Sequence, residues 1–253
     1  MTRRRCVCLH LALIMGFILP AAIATAQQEK STAKARQRPA TATAAPKNDA
    51  WWKGRHEKMN ERVKQGNVDL LFIGDSITQG WEGGGAKEVW QEYYGKRNAV
   101  NLGIGGDQTQ HVLWRLQNGN LEGISPKLAV LMIGTNNSGS NTPEDIARGV
   151  RAIVRTLREK VPSAKVLVLA IFPRGKDNQD HLRQVVMKTN ELLTKRAAGT
   201  SDVVFLDIGP RFLQPDGTLS KEIMPDLLHL SPKGYQIWAE AIEPEVEKVM
   251  GKK

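Results

Sequence analysis

The sequence predicts an α/β protein, a three-layer α/β/α sandwich built around about five parallel strands. Two observations carry that expectation. Short apolar runs alternate with amphipathic stretches across residues 51–253. The runs are continuously apolar rather than alternating, as strands covered on both faces are.

The strand candidates are residues 68–73, 99–102, 128–133, 166–171 and 203–206, all rich in Val, Ile and Leu. Helical patterns fill the gaps at 86–94, 109–117, 143–160 and 182–198. The third has a full start signal: Thr142 as N-cap, Pro143 at the first helical position, and Glu144 and Asp145 in the first turn. A last helix begins at Ser231-Pro232 and runs toward Met250. Strands and helices in this order form an open sheet with helices on both sides. In such sheets ligands bind beyond the carboxyl ends of the strands, which says where to look for chemistry.

Ahead of this domain, residues 1–26 read as a signal peptide. Arg3-Arg4-Arg5 is a positive leader, residues 9–23 are apolar around Pro20, and Ala24-Thr25-Ala26 offers a small-residue cleavage site. The apolar run is shorter than the ~20 residues of a membrane span, so no stable span is expected. An uncleaved anchor is the other reading of this segment. Residues 27–50 hold almost nothing large and apolar and read as a disordered linker. The chain is therefore expected to be exported, to periplasm or medium, with the folded domain at 51–253.

The net charge of +10 suggests nucleic acid until it is divided along the chain. Residues 1–50 carry eight Lys/Arg and two acids, which leaves +4 for the remaining 203 residues. No nucleic-acid partner is expected from so mild and scattered a charge. Both cysteines, Cys6 and Cys8, precede the apolar run, so the mature chain has no disulfide and no thiolate chemistry. No histidine pair stands at metal-ligand spacing, and neither metal nor cofactor is expected.

Small and polar residues follow the apolar runs: Gly74-Asp75-Ser76, Gly103-Ile104-Gly105-Gly106-Asp107, Gly134-Thr135-Asn136-Asn137 and, far along, Asp226-Leu227-Leu228-His229. In a parallel sheet these segments converge on one edge. They supply what acyl transfer needs. A serine hydroxyl requires a base during attack, and imidazole exchanges a proton near neutral pH. His229 can be that base for Ser76, and Asp226 can fix its tautomer. The Ser76 and Gly106 amides and the Asn136 side chain can hold the developing oxyanion. Taken singly each residue has a plain alternative: Ser76 a helix N-cap, Asn136 a loop amide, Asp226 and His229 covers for the last helix.

These segments resemble the blocks that name the SGNH, or GDSL, hydrolases: Ser in Gly-Asp-Ser, then Gly, then Asn, then His in Asp-x-x-His. Within that family the stretch from Asn101 to Gly119, Ile133-Gly-Thr-Asn-Asn137, Phe172-Pro-Arg-Gly175, Asp216-Gly217 and Leu228-His-Leu-Ser231 are similar to the catalytic subunits of the intracellular platelet-activating factor acetylhydrolases. The resemblance spans roughly residues 50–250. It implies a flavodoxin-like fold, metal-free ester hydrolysis, and the same roles for Ser76, Gly106, Asn136, Asp226 and His229. Two departures matter. Those enzymes are cytosolic whereas this chain reads as exported, and Asn137 stands where the wider family often has Asp.

Three neighbours, Ile77, Leu228 and Trp81, are expected to wall the substrate pocket, the first two limiting the acyl group to something short such as acetyl. His111 is expected to be structural, and His56 and His181 to lie at the surface. The expected partners are a small ester, an acetylated sugar or lipid, and a second copy of the chain in a homodimer. The competing reading is a non-catalytic carbohydrate-binding or scaffold protein on the same fold, which predicts loss of a triad member.

Overall fold

The strands are β1 (Leu70–Gly74), β2 (Ala99–Gly103), β3 (Leu128–Met132), β4 (Lys165–Leu169) and β5 (Val203–Leu206). They form one parallel sheet in the order β2-β1-β3-β4-β5 in a computed structural model that describes residues 38–197 and 202–252. The predicted signal peptide and the first part of the predicted linker lie outside the described residues. The chain steps from β1 outward to β2 and then back across to β3. That reversal makes the cleft between β1 and β3 the switch point of the sheet.

Among the described residues seven α-helices pack around it: α1 (Ala50–Lys64), α2 (Ser76–Gln79), α3 (Ala86–Tyr94), α4 (Thr109–Gln117), α5 (Pro143–Lys160), α6 (His181–Ala197) and α7 (Pro232–Met250). β1 and β3 are buried along their whole length, and their alternate residues feed two cores. Leu71, Ile73, Ala129 and Leu131 face α1, α4 and α5. Leu70, Phe72, Leu128 and Val130 face α3 and α7. A sheet with helices on both faces needs this continuous apolar run, and period-2 patterning is absent for that reason.

The expected helix starts are in place. The Thr142 side chain accepts from the Asp145 amide, at 3.2 Å, with Pro143 at the first position of α5. Ser231 does the same for the Gly234 amide at the head of α7. α1 was not among the expected helices, although Trp52, His56, Met59 and Val63 recur along one buried face. Its N-cap is Asp49, which accepts from the Trp52 amide at 2.7 Å.

Residues 39–49 differ from the linker expected there. They belong to the same compact unit as the sheet and cross over α4 and α5 as a strap. Thr41 Oγ1 donates to the Asp145 carbonyl at 2.6 Å, Thr109 Oγ1 donates to the Thr41 carbonyl at 2.9 Å, and the Ala45 amide donates to the Gln110 carbonyl at 3.2 Å. The low hydrophobicity that suggested disorder is what admits the segment. Its Ala and Thr side chains are small enough for the backbone to lie close against the helices and satisfy its polar groups there.

Gly149 of α5 lies beneath the strap, and a Cβ at this position would stand 2.6 Å from the Thr41 carbonyl. Gly149→Ala should therefore lower stability by about 1–3 kcal/mol through overpacking, and should speed proteolysis between residues 38 and 49. Thermal melts and limited proteolysis read both effects; a variant identical to the parent in both would mean that the strap is not seated there.

Candidate active site

Three of the four polar segments directly follow strands. Asp75 and Ser76 follow β1, residues 104–107 follow β2, and Thr135–Asn137 follow β3. Ser76 is the first residue of α2, whose N-cap, Asp75, accepts from the Ile77 amide at 3.0 Å. Ser76 Oγ lies 2.8 Å from His229 Nε2, although 153 residues separate them in the chain. His229 Nδ1 lies 2.6 Å from Asp226 Oδ2.

The turn that presents the histidine is held by the same carboxylate. Asp226 Oδ1 accepts from the Leu228 amide at 3.0 Å and from the His229 amide at 2.7 Å. For this the chain passes through Leu227 at φ +61°, a left-handed conformation that costs a residue with a Cβ of order 1–3 kcal/mol. The Gly175 amide holds the strained peptide by donating to the Leu227 carbonyl at 2.9 Å. Burial raises the Asp226 carboxyl, but the hydrogen bonds from the His229 ring and from the two amides outweigh it and hold the group below the usual carboxylate range.

Opposite the hydroxyl lies the loop after β2. Gly106 has φ +70°, which glycine adopts without strain. The amides of Ser76 and Gly106 donate to no other group of the described chain. Asn136 Nδ2 donates to the Asp107 carbonyl at 2.9 Å, which sets the side-chain amide beside the Asp107–Gln108 peptide, one residue beyond Gly106, and leaves its second hydrogen free. Gln79, one turn after Ser76 on α2, accepts from the Gly105 amide at 2.7 Å and fixes the loop from the other side.

Two expected pocket residues are buried in the core, although Trp81 also borders a groove at the edge of β2. Trp81 is 1% exposed, packed among Phe72, Trp90, Tyr94, Tyr235 and Trp238. Ile77 is also 1% exposed in that cluster. Neighbouring residues on a helix point about 100° apart, so the side chain after the serine turns toward the sheet. Ile77 touches the site through its backbone, its carbonyl accepting from Tyr235 Oη at 2.7 Å. Leu228 is half-buried against the same core. His56 is buried rather than at the surface, stacked on Trp52 and edge-on to Trp114, and burial lowers its pKa. His181 is exposed, and His111 takes the structural place expected of it, its ring accepting from the Gln108 amide at 3.0 Å.

The support beneath the site was not expected from the sequence. Asp107 and Arg115, both fully buried, pair at 2.9 Å. Trp52 Nε1 donates to the other oxygen of Asp107 at 2.6 Å. Arg115 also donates to Asn120 Oδ1 at 2.6 Å, to the Leu102 carbonyl at 2.9 Å and to the Gly74 carbonyl at 3.4 Å. Among the described residues no group of three or more His, Cys, Asp or Glu could hold a metal ion, and no helix is long and apolar enough to cross a membrane.

Asp75 is fully buried, and its Oδ2 has no hydrogen-bond partner. Burial pushes its carboxyl up to about 7, against the Ile77 hydrogen bond and with help from the Asp107 carboxylate. Folding therefore favours the protonated form. Between the usual 3.8 and about 7 the folded protein holds a proton that the unfolded chain has released, so this contribution to stability falls as pH rises through that window. Asp75→Asn should flatten the decline in Tm between pH 5 and pH 8 relative to the parent. Parallel Tm–pH profiles would show that Asp75 does not titrate there.

Residues 72–237 match the pattern that defines the GDSL-like lipase/acylhydrolase family. The chain is 43% identical over 187 residues to platelet-activating factor acetylhydrolase IB subunit alpha1 of Bos taurus, a match covering 74% of this chain and 78% of that protein. It is 41% identical over 202 residues to subunit alpha2 of Rattus norvegicus, covering 80% and 85%. A GDSL-like lipase from Bacteroides thetaiotaomicron shares its fold with a TM-score of 0.63 at 18% identity, covering 77% of this chain and 97% of that one. An acetylxylan esterase from Geobacillus stearothermophilus does so at 0.56 and 20%, covering 74% and 96%.

Proposed function

The chain belongs to the GDSL-like lipase/acylhydrolase family, and from that premise we propose that it cleaves short-chain esters, acetyl esters above all, through a Ser76–His229–Asp226 triad. It is a carboxylic ester hydrolase. The observation that carries the mechanism is the unbroken line of contacts from Ser76 Oγ through the His229 ring to Asp226, at 2.8 and 2.6 Å.

In the first step Ser76 Oγ attacks the ester carbonyl while its proton passes to His229 Nε2. Asp226 holds the other ring nitrogen in its protonated tautomer and stabilises the imidazolium. The Ser76 and Gly106 amides and Asn136 Nδ2 receive the charge on the former carbonyl oxygen. The carbon–oxygen ester bond breaks, His229 returns the proton to the departing alkoxide, and an acyl group remains on Ser76. Water, deprotonated by His229, then releases the acid and restores the hydroxyl. The ester and one water become one acid and one alcohol.

The preference for acetyl is supported by the relatives at 41–43% identity, which are named acetylhydrolases. Ile77 cannot set the acyl limit with its side chain in the core. A scaffold protein that had lost catalysis would be free to lose one of the three groups, and all three are present and in contact.

Wild-type protein should turn over p-nitrophenyl acetate, and Ser76→Ala, still folded, should lose essentially all of that activity. Asn136→Ala should lower kcat on the order of 10²–10³ with a smaller effect on KM. A folded Ser76→Ala protein with full activity would end this reading.

A further inference from the structure

A concavity opens near the serine, along the edge of β2 that no other described strand pairs. It lies between α1 on one face of the sheet and α3 on the other, and encloses about 750 Å³. Its walls carry four cations, Arg55, Lys58, Arg62 and Lys87, against a single carboxylate, Glu82. That carboxylate is already neutralised, since Arg55 donates to both of its oxygens at 3.0 and 2.7 Å. Lys58 and Lys87 are exposed and form no ion pair with the described residues. The groove therefore presents uncompensated positive charge.

The groove lies next to the serine site. Gln79, which fixes the Gly105 amide, is one of its walls, and Trp51 is another. A Cβ placed on Gly105 would stand 3.8 Å from Ser76 Cβ and 3.8 Å from Trp51 Cη2, so the indole reaches the margin of the nucleophile. Trp51 is 57% exposed, the most exposed large apolar side chain among the described residues. A flat apolar ring offered to water beside amide and ammonium groups matches a sugar ring, which has a C–H face and a polar rim.

A peptide strand is a poor occupant, although β2 is an edge. Arg55 Nε already donates to the Gly103 carbonyl at 2.9 Å, and the Gly103 amide already donates to Asn101 Oδ1 at 2.8 Å. Side chains have taken the backbone groups that an added strand would need nearest the site.

We propose that this groove holds the alcohol side of the ester and that its occupant is an acidic oligosaccharide, one whose sugars carry carboxylates. The proposal rests on the ester-hydrolase reading above. The acetylated sugar lies over Trp51 with its ester at Ser76. Its neighbours along the chain meet Lys58 and Lys87, and the deacetylated hydroxyl leaves along the groove with the proton that His229 returns.

Two measurements test this separately from catalysis. Calorimetry with unacetylated oligogalacturonate should show binding to the wild-type protein that weakens as salt is raised. The Lys58→Ala/Lys87→Ala double variant should bind at least about tenfold more weakly, and neutral xylo-oligosaccharide of equal length should bind poorly to both. In turnover, the ratio of kcat/KM on acetylated oligogalacturonate to that on p-nitrophenyl acetate should fall about tenfold or more in the same variant. Equal binding of the acidic and neutral sugars, or an unchanged ratio in the variant, would overturn the proposal while leaving the esterase intact. So would sedimentation showing a dimer that covers this edge and comes apart in the double variant. Loss of the esterase reading would show instead as undiminished p-nitrophenyl acetate turnover in Ser76→Ala.

Discussion

The geometry of the site depends on one buried cation. The Arg115 guanidinium lies beneath the carboxyl ends of β1 and β2, and three of its contacts are to those strands or the loop beyond them. It pairs with Asp107 and reaches the carbonyls of Leu102 at the end of β2 and Gly74 at the end of β1. A charge this deep is tolerated only with a partner and a full set of acceptors. Those acceptors thereby become fixed points. Asp107 is pinned by Arg115 and Trp52 through its side chain and by Asn136 through its carbonyl, so Gly106 and Asn136 share one anchor. Removing either member would leave an uncompensated charge in the core, a cost distinct from what the pair itself adds to stability.

The second constraint is the turn at the far end of the chain. Asp226 caps the amides of Leu228 and His229 with one oxygen and holds the imidazole with the other, so one side chain sets both the backbone and the ring. The strain at Leu227 is held by the Gly175 amide on the loop after β4. Tyr235, in the first turn of α7, reaches back to the Ile77 carbonyl and ties the helix after the histidine to the helix that begins with the serine. Strand register, loop anchors and this tie together bring a hydroxyl and an imidazole into contact from opposite ends of the domain.

The sheet was legible because burial on both faces leaves a clear trace: apolar runs at regular spacing, four of the five ended by glycine or a polar residue. The same rule located the serine, glycine, asparagine and histidine segments, since a parallel sheet must put them at one edge. Other features left weaker traces. Whether Ile77 and Trp81 face a cavity or the core depends on helix phase and on what packs opposite, and adjacency to Ser76 in sequence carries neither. Nothing in the local sequence marks Arg115 and Asp107 as buried, because their burial is a property of the assembled sheet. The 39–49 strap has the composition of a disordered segment. Its order comes from a close backbone fit over Gly149 that hydrophobicity does not register. The helical period of Trp52, His56, Met59 and Val63 was present in the sequence and would have identified α1.

The central claim is that the residue 76 hydroxyl is made nucleophilic by the residue 229 imidazole. A fluorophosphonate probe followed by intact-mass and peptide mass spectrometry tests it directly, because the probe reacts with activated serines and leaves unactivated hydroxyls untouched. The account predicts a single adduct on Ser76 in the wild-type protein, formed orders of magnitude more slowly in a folded His229→Ala variant. An adduct on another residue, or labelling of Ser76 at an unchanged rate without the imidazole, would contradict it.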